Sequence, residues 1–461
     1  MGHCGFHHRQ NSQNGNEIAK FIASDKSDAL GPTNSCQSEV VVAGPLLLVS
    51  IPHLHSRANL RNPAPCADLN TTALQGAPSN SEQLGDCALK ITLFGLTISS
   101  SWGNGHATPY RAILKALHRS GHRVVFFEKD VEYYALRRDF SSSEYCELRL
   151  YEDWETVRSS ALACASESDV AVVASFCPEG ARIADEVLCL EHPLRVYYDL
   201  DTPVTLAMLE REELDHLRRD QIPCFDLYLS FTGGEVLTIL EEQMGAQMAR
   251  PLYGCVDPDV YMRTPAREDF RCLLSYMGTY SHDRQRQLDQ LFLTPARTLN
   301  NKTFILAGSL YPWSWQWPAN VRRFDHVMPA EHPAFYSSSR LTLNITRAEM
   351  ARYGYCPSGR FFEAAACGTP IVTDRWLGLD TFFRDREEIF ICDSTSDVLA
   401  ALESSDEQLR QLAGRARERT LDEHTGTHRA HQLVGYLEQA RALRRVPAPP
   451  KTTLVPQELA P

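Results

Sequence analysis

The segment Pro357-Ser358-Gly359-Arg360-Phe361-Phe362-Glu363-Ala364-Ala365-Ala366-Cys367-Gly368-Thr369-Pro370 carries a single acid, Glu363, among phenylalanine, alanine and cysteine. Ser358 as cap, Gly368 as stop and Pro370 at the start of a following strand predict a short helix with Glu363 on its buried side. An unpaired polar group taken out of water costs roughly 2–7 kcal/mol. A ligand with paired hydroxyls would satisfy the carboxylate, and so would an internal ion pair with Arg360, one turn back.

Three other stretches could meet a ligand. Ser99 to Pro109 contains Gly103, Asn104, Gly105 and His106, followed by a helical pattern for which Thr108 reads as the cap and Pro109 as the first residue. Glycines allow close backbone approach, and a helix N-terminus offers free N–H groups, so the stretch suits an anion or a sugar. Its spacing is not G-x-G-x-x-G, which removes a dinucleotide fingerprint. His106 reads either as a base or sugar contact, or as a loop histidine that caps the turn. Asp199-Leu200-Asp201 lies at the carboxyl end of a strand, the edge where open α/β sheets bind ligands, although Asp201 or Thr202 would equally cap the helix that Pro203 opens. Phe231-Thr232-Gly233-Gly234 repeats the strand-to-helix theme, with Thr232 and Gly233 facing the same cleft. The loop Tyr311-Pro312-Trp313-Ser314-Trp315-Gln316-Trp317 would either stack a nucleotide base or pack on its own domain.

These residues need strands to place them. Short apolar runs alternate with helical stretches from Leu89 onward, at Leu89–Leu96, Arg123–Phe127, Asp169–Ala174, Arg195–Tyr198 and Asp226–Phe231, the signature of a doubly wound parallel sheet. A second series follows at Cys272–Met277, Thr303–Ala307, Leu341–Ile345, Pro370–Thr373 and Glu388–Cys392. The expectation is an α/β chain of two Rossmann-like domains facing a central cleft, 89–254 and 255–420, joined near Arg250–Val260. A C-terminal helix over 421–443 and a proline-rich tail over 444–461 follow. Residues 1–88, polar and without periodicity, read as a disordered or weakly ordered extension, and His3, His7 and His8 near Cys4 there lack the fixed geometry of a metal site.

At 461 residues, 43% hydrophobic and 23% charged, the chain can bury more than one core. A net charge of −12 argues against nucleic acid or anionic lipid as a broad electrostatic partner. The fourteen cysteines include no C-x-x-C pair, and Cys255, Cys272, Cys367 and Cys392 sit in apolar runs, which reads as reduced thiols in a cytoplasmic protein. The longest apolar candidate for a membrane span, Val40–Ile51, is broken by Gly44 and Pro45.

Glu363-Ala364-Ala365-Ala366-Cys367-Gly368-Thr369-Pro370 resembles the E-A-x-A-C-G-x-P donor motif of GT-B glycosyltransferases. Ser101 to Thr108, Asp199 to Leu206 and Ser230 to Gly234 resemble the CgeB-like, spore-maturation type of these enzymes, over roughly residues 89 to 440. Cys255 to Tyr261 is similar to their G-V-D-x-x-x-F stretch, and Gly278 to Arg284 to their G-R-x-x-x-x-K diphosphate element.

The resemblance implies transfer of a sugar, a hexosyl group, from a nucleotide-diphosphate sugar to an acceptor. Glu363 would accept hydrogen bonds from the ribose hydroxyls, the backbone at Gly278, Ser358 and Gly359 would face the diphosphate, and Arg284 would replace the family's lysine. Thr279 stands where the family has arginine, and Tyr355 where many retaining relatives have the first glutamate of E-x7-E, which shifts the phosphate grip toward Arg284, Arg347 or Arg360. His106 and Asp201 are the candidates for catalysis. Guanidinium groups and helix N–H donors can stabilise the leaving diphosphate without a metal or other cofactor, and the D-x-D spelled by Asp199 and Asp201 falls outside the donor half. A catalytically inactive nucleotide-sugar-binding module and a nucleotide-sugar epimerase are the alternatives.

Overall fold

In the first sheet, neighbouring residues of each central strand point into different cores. Ile91 and Leu93 of β1 (Lys90–Gly95) join one apolar cluster, and Phe94 joins the other; Val170 and Val172 of β4 (Val170–Ala174) likewise oppose Ala171 and Val173. Strands buried on both faces read as continuous apolar runs, which is why these were legible. The computed structural model describes residues 88–140, 144–312 and 314–445. The expected extension over 1–88, apart from Ala88, lies outside them, as do the His3, Cys4, His7 and His8 group, Val40–Ile51, Trp313 and nearly all of the expected proline-rich tail.

With β2 (Arg123–Lys129), β3 (Glu147–Tyr151), β5 (Leu194–Asp199), β6 (Leu227–Ser230) and β7 (Ala249–Pro251), the first sheet is ordered β3-β2-β1-β4-β5-β6-β7, all parallel. One face is covered by helix Ala107–Arg119 and by the C-terminal helix Gly426–Arg445, whose Leu433, Leu437 and Ala440 return to this core. Trp154, Ala161, Ile183 and Val187 from helices Trp154–Ser166 and Gly180–Leu188 cover the other. The second sheet, β8 (Cys272–Met277), β9 (Phe304–Ala307), β10 (Val321–Phe324), β11 (Ser339–Asn344), β12 (Ile371–Thr373) and β13 (Phe390–Ile391), is ordered β10-β9-β8-β11-β12-β13, again parallel. Both sheets fall within a single compact unit.

Three strands were not foreseen: β3, β7 and β10. Each lies at a sheet edge. Only one residue of β3 is fully buried, and β10, Val-Arg-Arg-Phe, is half charged, so neither has the apolar run that marks a central strand. The stretch Arg250–Val260 begins inside β7 before it crosses to the second sheet. Its path is fixed by Arg429 of the C-terminal helix, 1% exposed, whose guanidinium donates to the carbonyls of Tyr253, Gly254 and Glu423.

The order changes direction beside β1 and β4 in the first sheet and beside β8 and β11 in the second. At such points the loops leaving the carboxyl ends of neighbouring strands part and open a crevice. The loop after β1 carries Gly103 to His106, the turn after β8 carries Gly278, and the segment after β11 carries Arg347. Of the ten described cysteines eight are buried, and Cys164, Cys177, Cys189, Cys224, Cys255, Cys272, Cys356, Cys367 and Cys392 are free thiols. Among the described residues no helix is long and apolar enough to cross a membrane.

Candidate functional site

Helix Gly359–Ala366 buries Phe361, Phe362 and Glu363 together, and Glu363 is only 6% exposed. Gly368, at φ +68°, ends it by donating to the Ala365 carbonyl while Thr369 donates to that of Ala364. The ion pair with Arg360 does not form. The Arg360 guanidinium reaches instead to the Met277 carbonyl at the end of β8 and to Ser358 Oγ at 3.2 Å. Around the carboxylate stand Tyr261, Tyr336 and His332, with His332 Nδ1 3.9 Å from Glu363 Oε2. That contact is not an ion pair either. His332 Nε2 lies 3.1 Å from the Val327 carbonyl and Nδ1 3.1 Å from the Tyr261 hydroxyl, an arrangement that suits a neutral ring with Nε2 donating and Nδ1 accepting. Burial drives the His332 pKa down to about 4. Burial likewise pushes Glu363 up, to about 7, against the opposing pull of Arg360 and the Tyr336 hydroxyl.

Ser358 holds the N-cap position, but its side chain does not cap: its hydroxyl accepts from Arg360 Nε rather than from a backbone N–H. The first N–H groups of the helix are therefore left without a capping side chain, and a Cβ at Gly359 would meet no atom within 4 Å. An open helix N-terminus one turn from an unneutralised carboxylate suits a ligand that carries an anion and a diol together.

The turn after β8 is fastened by its carbonyls. Met277 is held by Arg360, Gly278 by the Tyr311 hydroxyl at 3.1 Å, and Thr279 by Arg284. Arg284 is buried beside Tyr276 and Tyr311, and its Nε has no partner. Arg347, more open, lies 3.8 Å from Asp283, which also accepts from the Ala348 amide. The aromatic loop packs on its own domain: Trp315 and Trp317 contact Tyr311, and Arg323 lies over Trp317.

On the first sheet the helix begins at Ala107, not after Thr108. Asn104 Oδ1 accepts from the amides of His106 and Ala107, so asparagine does the capping assigned to threonine. Glu128, buried at the end of β2, holds this loop by accepting from Thr97 Oγ1, from the amides of Ile98 and Ser99, and from Ser99 Oγ. The cap assigned to Asp201 or Thr202 also fails. Neither side chain caps; Asp199 accepts from the Asp201 amide and from Thr205 Oγ1, each at 3.0 Å, and from the Tyr228 hydroxyl at 2.7 Å. Asp201 pairs instead with His106, Nε2 to Oδ2 at 2.6 Å. Asp199 is thus sealed and Asp201 committed elsewhere, so the two acids of the D-x-D do not converge.

Gly103, at φ +66°, passes Tyr133 so closely that a Cβ would lie 2.6 Å from its hydroxyl, whereas Gly105 is open. Thr232 and Gly233 stand at the seam between the halves: the Gly233 amide donates to the Tyr355 carbonyl at 3.0 Å, and the Tyr355 ring lies against Gly234 and Gly378. Trp102 spans the same divide, its ring 4.7 Å from that of His326, with the Arg137 guanidinium on it at 4.1 Å. Sequence reasoning missed His332, Tyr336 and Glu128, because none stands in a motif and each gains meaning from a partner distant in the chain; Trp102 stood in a quoted motif, but its contact with His326 could not be read there. A wholly apolar cavity of about 30 Å³ lined by Ile91, Leu93, Tyr110 and Leu437 lies in the first sheet's core.

The architecture, two parallel-strand Rossmann-like sheets, is that of GT-B glycosyltransferases. Residues 284–435, a third of the chain, match the family described as Glycosyl transferase-like. Among similar solved structures are sucrose-phosphate synthase from Thermosynechococcus elongatus (TM-score 0.57, 13% identity, 77% of this chain and 100% of that one) and an alpha-glucosyltransferase in complex with UDP-glucose and DNA (0.59, 12%, 76% and 100%). HepE from Anabaena, in complex with UDP and glucose, is a third (0.54, 12%, 76% and 100%). No curated protein sequence matches the chain.

Proposed function

We propose that the protein transfers a glycosyl group from a nucleotide-diphosphate sugar to an acceptor hydroxyl. The observation that carries this reading is Glu363: a buried carboxylate with no cation paired to it, one turn from an open helix N-terminus. The ribose diol would donate to Glu363, while the amides at Gly359 and Arg360, with Arg347 nearby, would take the negative charge that develops on the leaving diphosphate. That charge stabilisation comes from the chain's own N–H groups and guanidinium groups, so no metal or other cofactor is assigned. Gly103, Asn104, Gly105 and the seam at Thr232 and Gly233 form the acceptor side.

A hexosyl donor, with UDP-glucose the first to try, is supported by the similar structures that hold UDP-glucose. The motifs around Trp102, Asp201 and Gly233 support a CgeB-like relationship, and the free cysteines suit the cytoplasm. One similar enzyme was captured with DNA, but a net charge of −12 disfavours a nucleic-acid acceptor here.

The test is a thermal-shift screen of UDP-, GDP-, ADP- and CMP-sugars. A ligand at about 100 times its Kd adds ~2.7 kcal/mol, a rise of several degrees for a chain of this size. A flat response across the panel would overturn the reading. Arg284→Ala is expected to raise the apparent donor KM more than Arg284→Lys, since a lysine can still reach the Thr279 carbonyl and keep a positive charge under the turn. Equal effects in steady-state kinetics would remove the charge from the argument.

A further inference from the structure

We propose that Asp201 takes the proton from the acceptor hydroxyl through its Oδ1, and that His106 is the residue that positions it. This rests on the transferase reading above.

Of the two partners, the histidine is the less suited to meet a substrate. Its Nε2 is engaged by Asp201 Oδ2 at 2.6 Å, and its other nitrogen, Nδ1, is buried without a partner. The ring is enclosed by Tyr110 and Phe176, at centroid distances of 6.3 and 6.0 Å. The side chain of His106 is 8% exposed and that of Asp201 20%. Asp201 Oδ1 accepts no hydrogen bond from the described residues, so it is the one open atom of the pair. Asp199, two residues earlier, has both oxygens engaged and is fully buried.

Placement agrees with chemistry. Asp201 lies at the carboxyl edge of the first sheet, immediately before helix Thr202–Glu210, which packs on helix Ala348–Tyr353 of the second half, the helix that Arg347 precedes and that Cys356 and Ser358 follow. The carboxylate and the open N-terminus of helix Gly359–Ala366 therefore share one stretch of the crevice. In the transfer step the acceptor O–H bond breaks and its proton goes to Oδ1. The acceptor oxygen bonds to the anomeric carbon, and the bond from that carbon to the diphosphate oxygen breaks, its electron pair leaving on the nucleoside diphosphate. His106, charged or neutral, donates through Nε2 to Oδ2 and fixes which oxygen faces the acceptor.

The experiment uses the full chain and the nucleotide sugar that gives the largest melting shift in the screen above, with water and a panel of simple glycosides as acceptors, reading nucleoside diphosphate release. Asp201→Asn is expected to lower kcat at least ~100-fold, the usual size of a lost general base, while calorimetric affinity for the nucleoside diphosphate stays within about threefold of wild type. Retained affinity also reports that the variant is folded. His106→Gln is expected to keep more of the rate and to move the acidic limb of the pH profile upward, because the hydrogen bond and charge that hold Asp201 down are weakened. Arg347, His216, Asp199, Tyr110 and Cys356, the other charged or titratable groups around Asp201, are unchanged in that variant. Asp201→Asn at the wild-type rate, a parallel loss of rate and nucleotide affinity, or a wild-type protein that binds the donor yet never releases diphosphate would each overturn the assignment. Failure to bind any nucleotide sugar would instead strike the transferase reading itself.

Discussion

Glu363→Gln is expected to stabilise the protein at about pH 8 by on the order of 3 kcal/mol while weakening nucleotide binding. Burial disfavours the charge of the folded carboxyl and pushes it up to about 7, against 4.5 for a solvated glutamate side chain. The sign follows from proton counting: between these two values the folded state binds more protons than the unfolded one, so stability falls as pH rises through the window and the penalty is complete above about 7. A shift of that size corresponds to ~3 kcal/mol, which glutamine removes. Wild type should therefore lose stability between about pH 4.5 and about pH 7 in urea titrations, and the variant should lose less. Nucleotide affinity should behave in the opposite way. A diol donates to the ionised carboxylate, so wild-type affinity should rise from about pH 6 to about pH 8 and then level off. Glu363→Ala, which removes both acceptor oxygens, should cost about 100-fold in nucleotide affinity, as the loss of charge-assisted hydrogen bonds implies. Equal stability of wild type and Glu363→Gln at pH 8, or nucleotide affinity indifferent to both substitutions, would show that Glu363 is an ordinary core carboxyl.

Gly359→Asp is expected to abolish nucleotide binding without harming the fold. A Cβ at Gly359 meets nothing within 4 Å, so the position has open space where a side chain would start. An acid in the first turn of a helix is favourable by about 0.3–1 kcal/mol, so the melting temperature should hold or rise slightly. The new carboxylate would occupy the place and the N–H donors proposed for the diphosphate, and like charges brought together cost several kcal/mol, hence a loss of ~100-fold or more in calorimetric affinity. Gly359→Ala serves as the control, since it adds volume without charge and should bind within a few-fold of wild type. If Gly359→Asp binds nucleoside diphosphates as well as Gly359→Ala does, the diphosphate sits elsewhere. Together the two sites separate the ribose grip from the phosphate grip: one responds to pH near 7, the other to charge alone.

The central strands and the helix around Glu363 were legible because a strand buried on two faces must be apolar throughout and a short helix must start and stop on particular residue types. From that pattern alone followed two parallel sheets and the burial of Glu363. The edge strands β3, β7 and β10 escaped because an edge has one side in water and needs no such run. Partnerships were decided only by the tertiary structure. The chain places Arg360 three residues from Glu363, yet the guanidinium goes to the carbonyl of Met277, and the acid is left without a cation. Likewise Asp201 looks from its neighbours like a helix cap, but no side chain caps that helix, and the Asp201 carboxylate turns to His106, 95 residues earlier. Sequence limits which groups can be buried, since solvation depends on residue type; which group then satisfies which is settled by geometry across strands far apart in the chain.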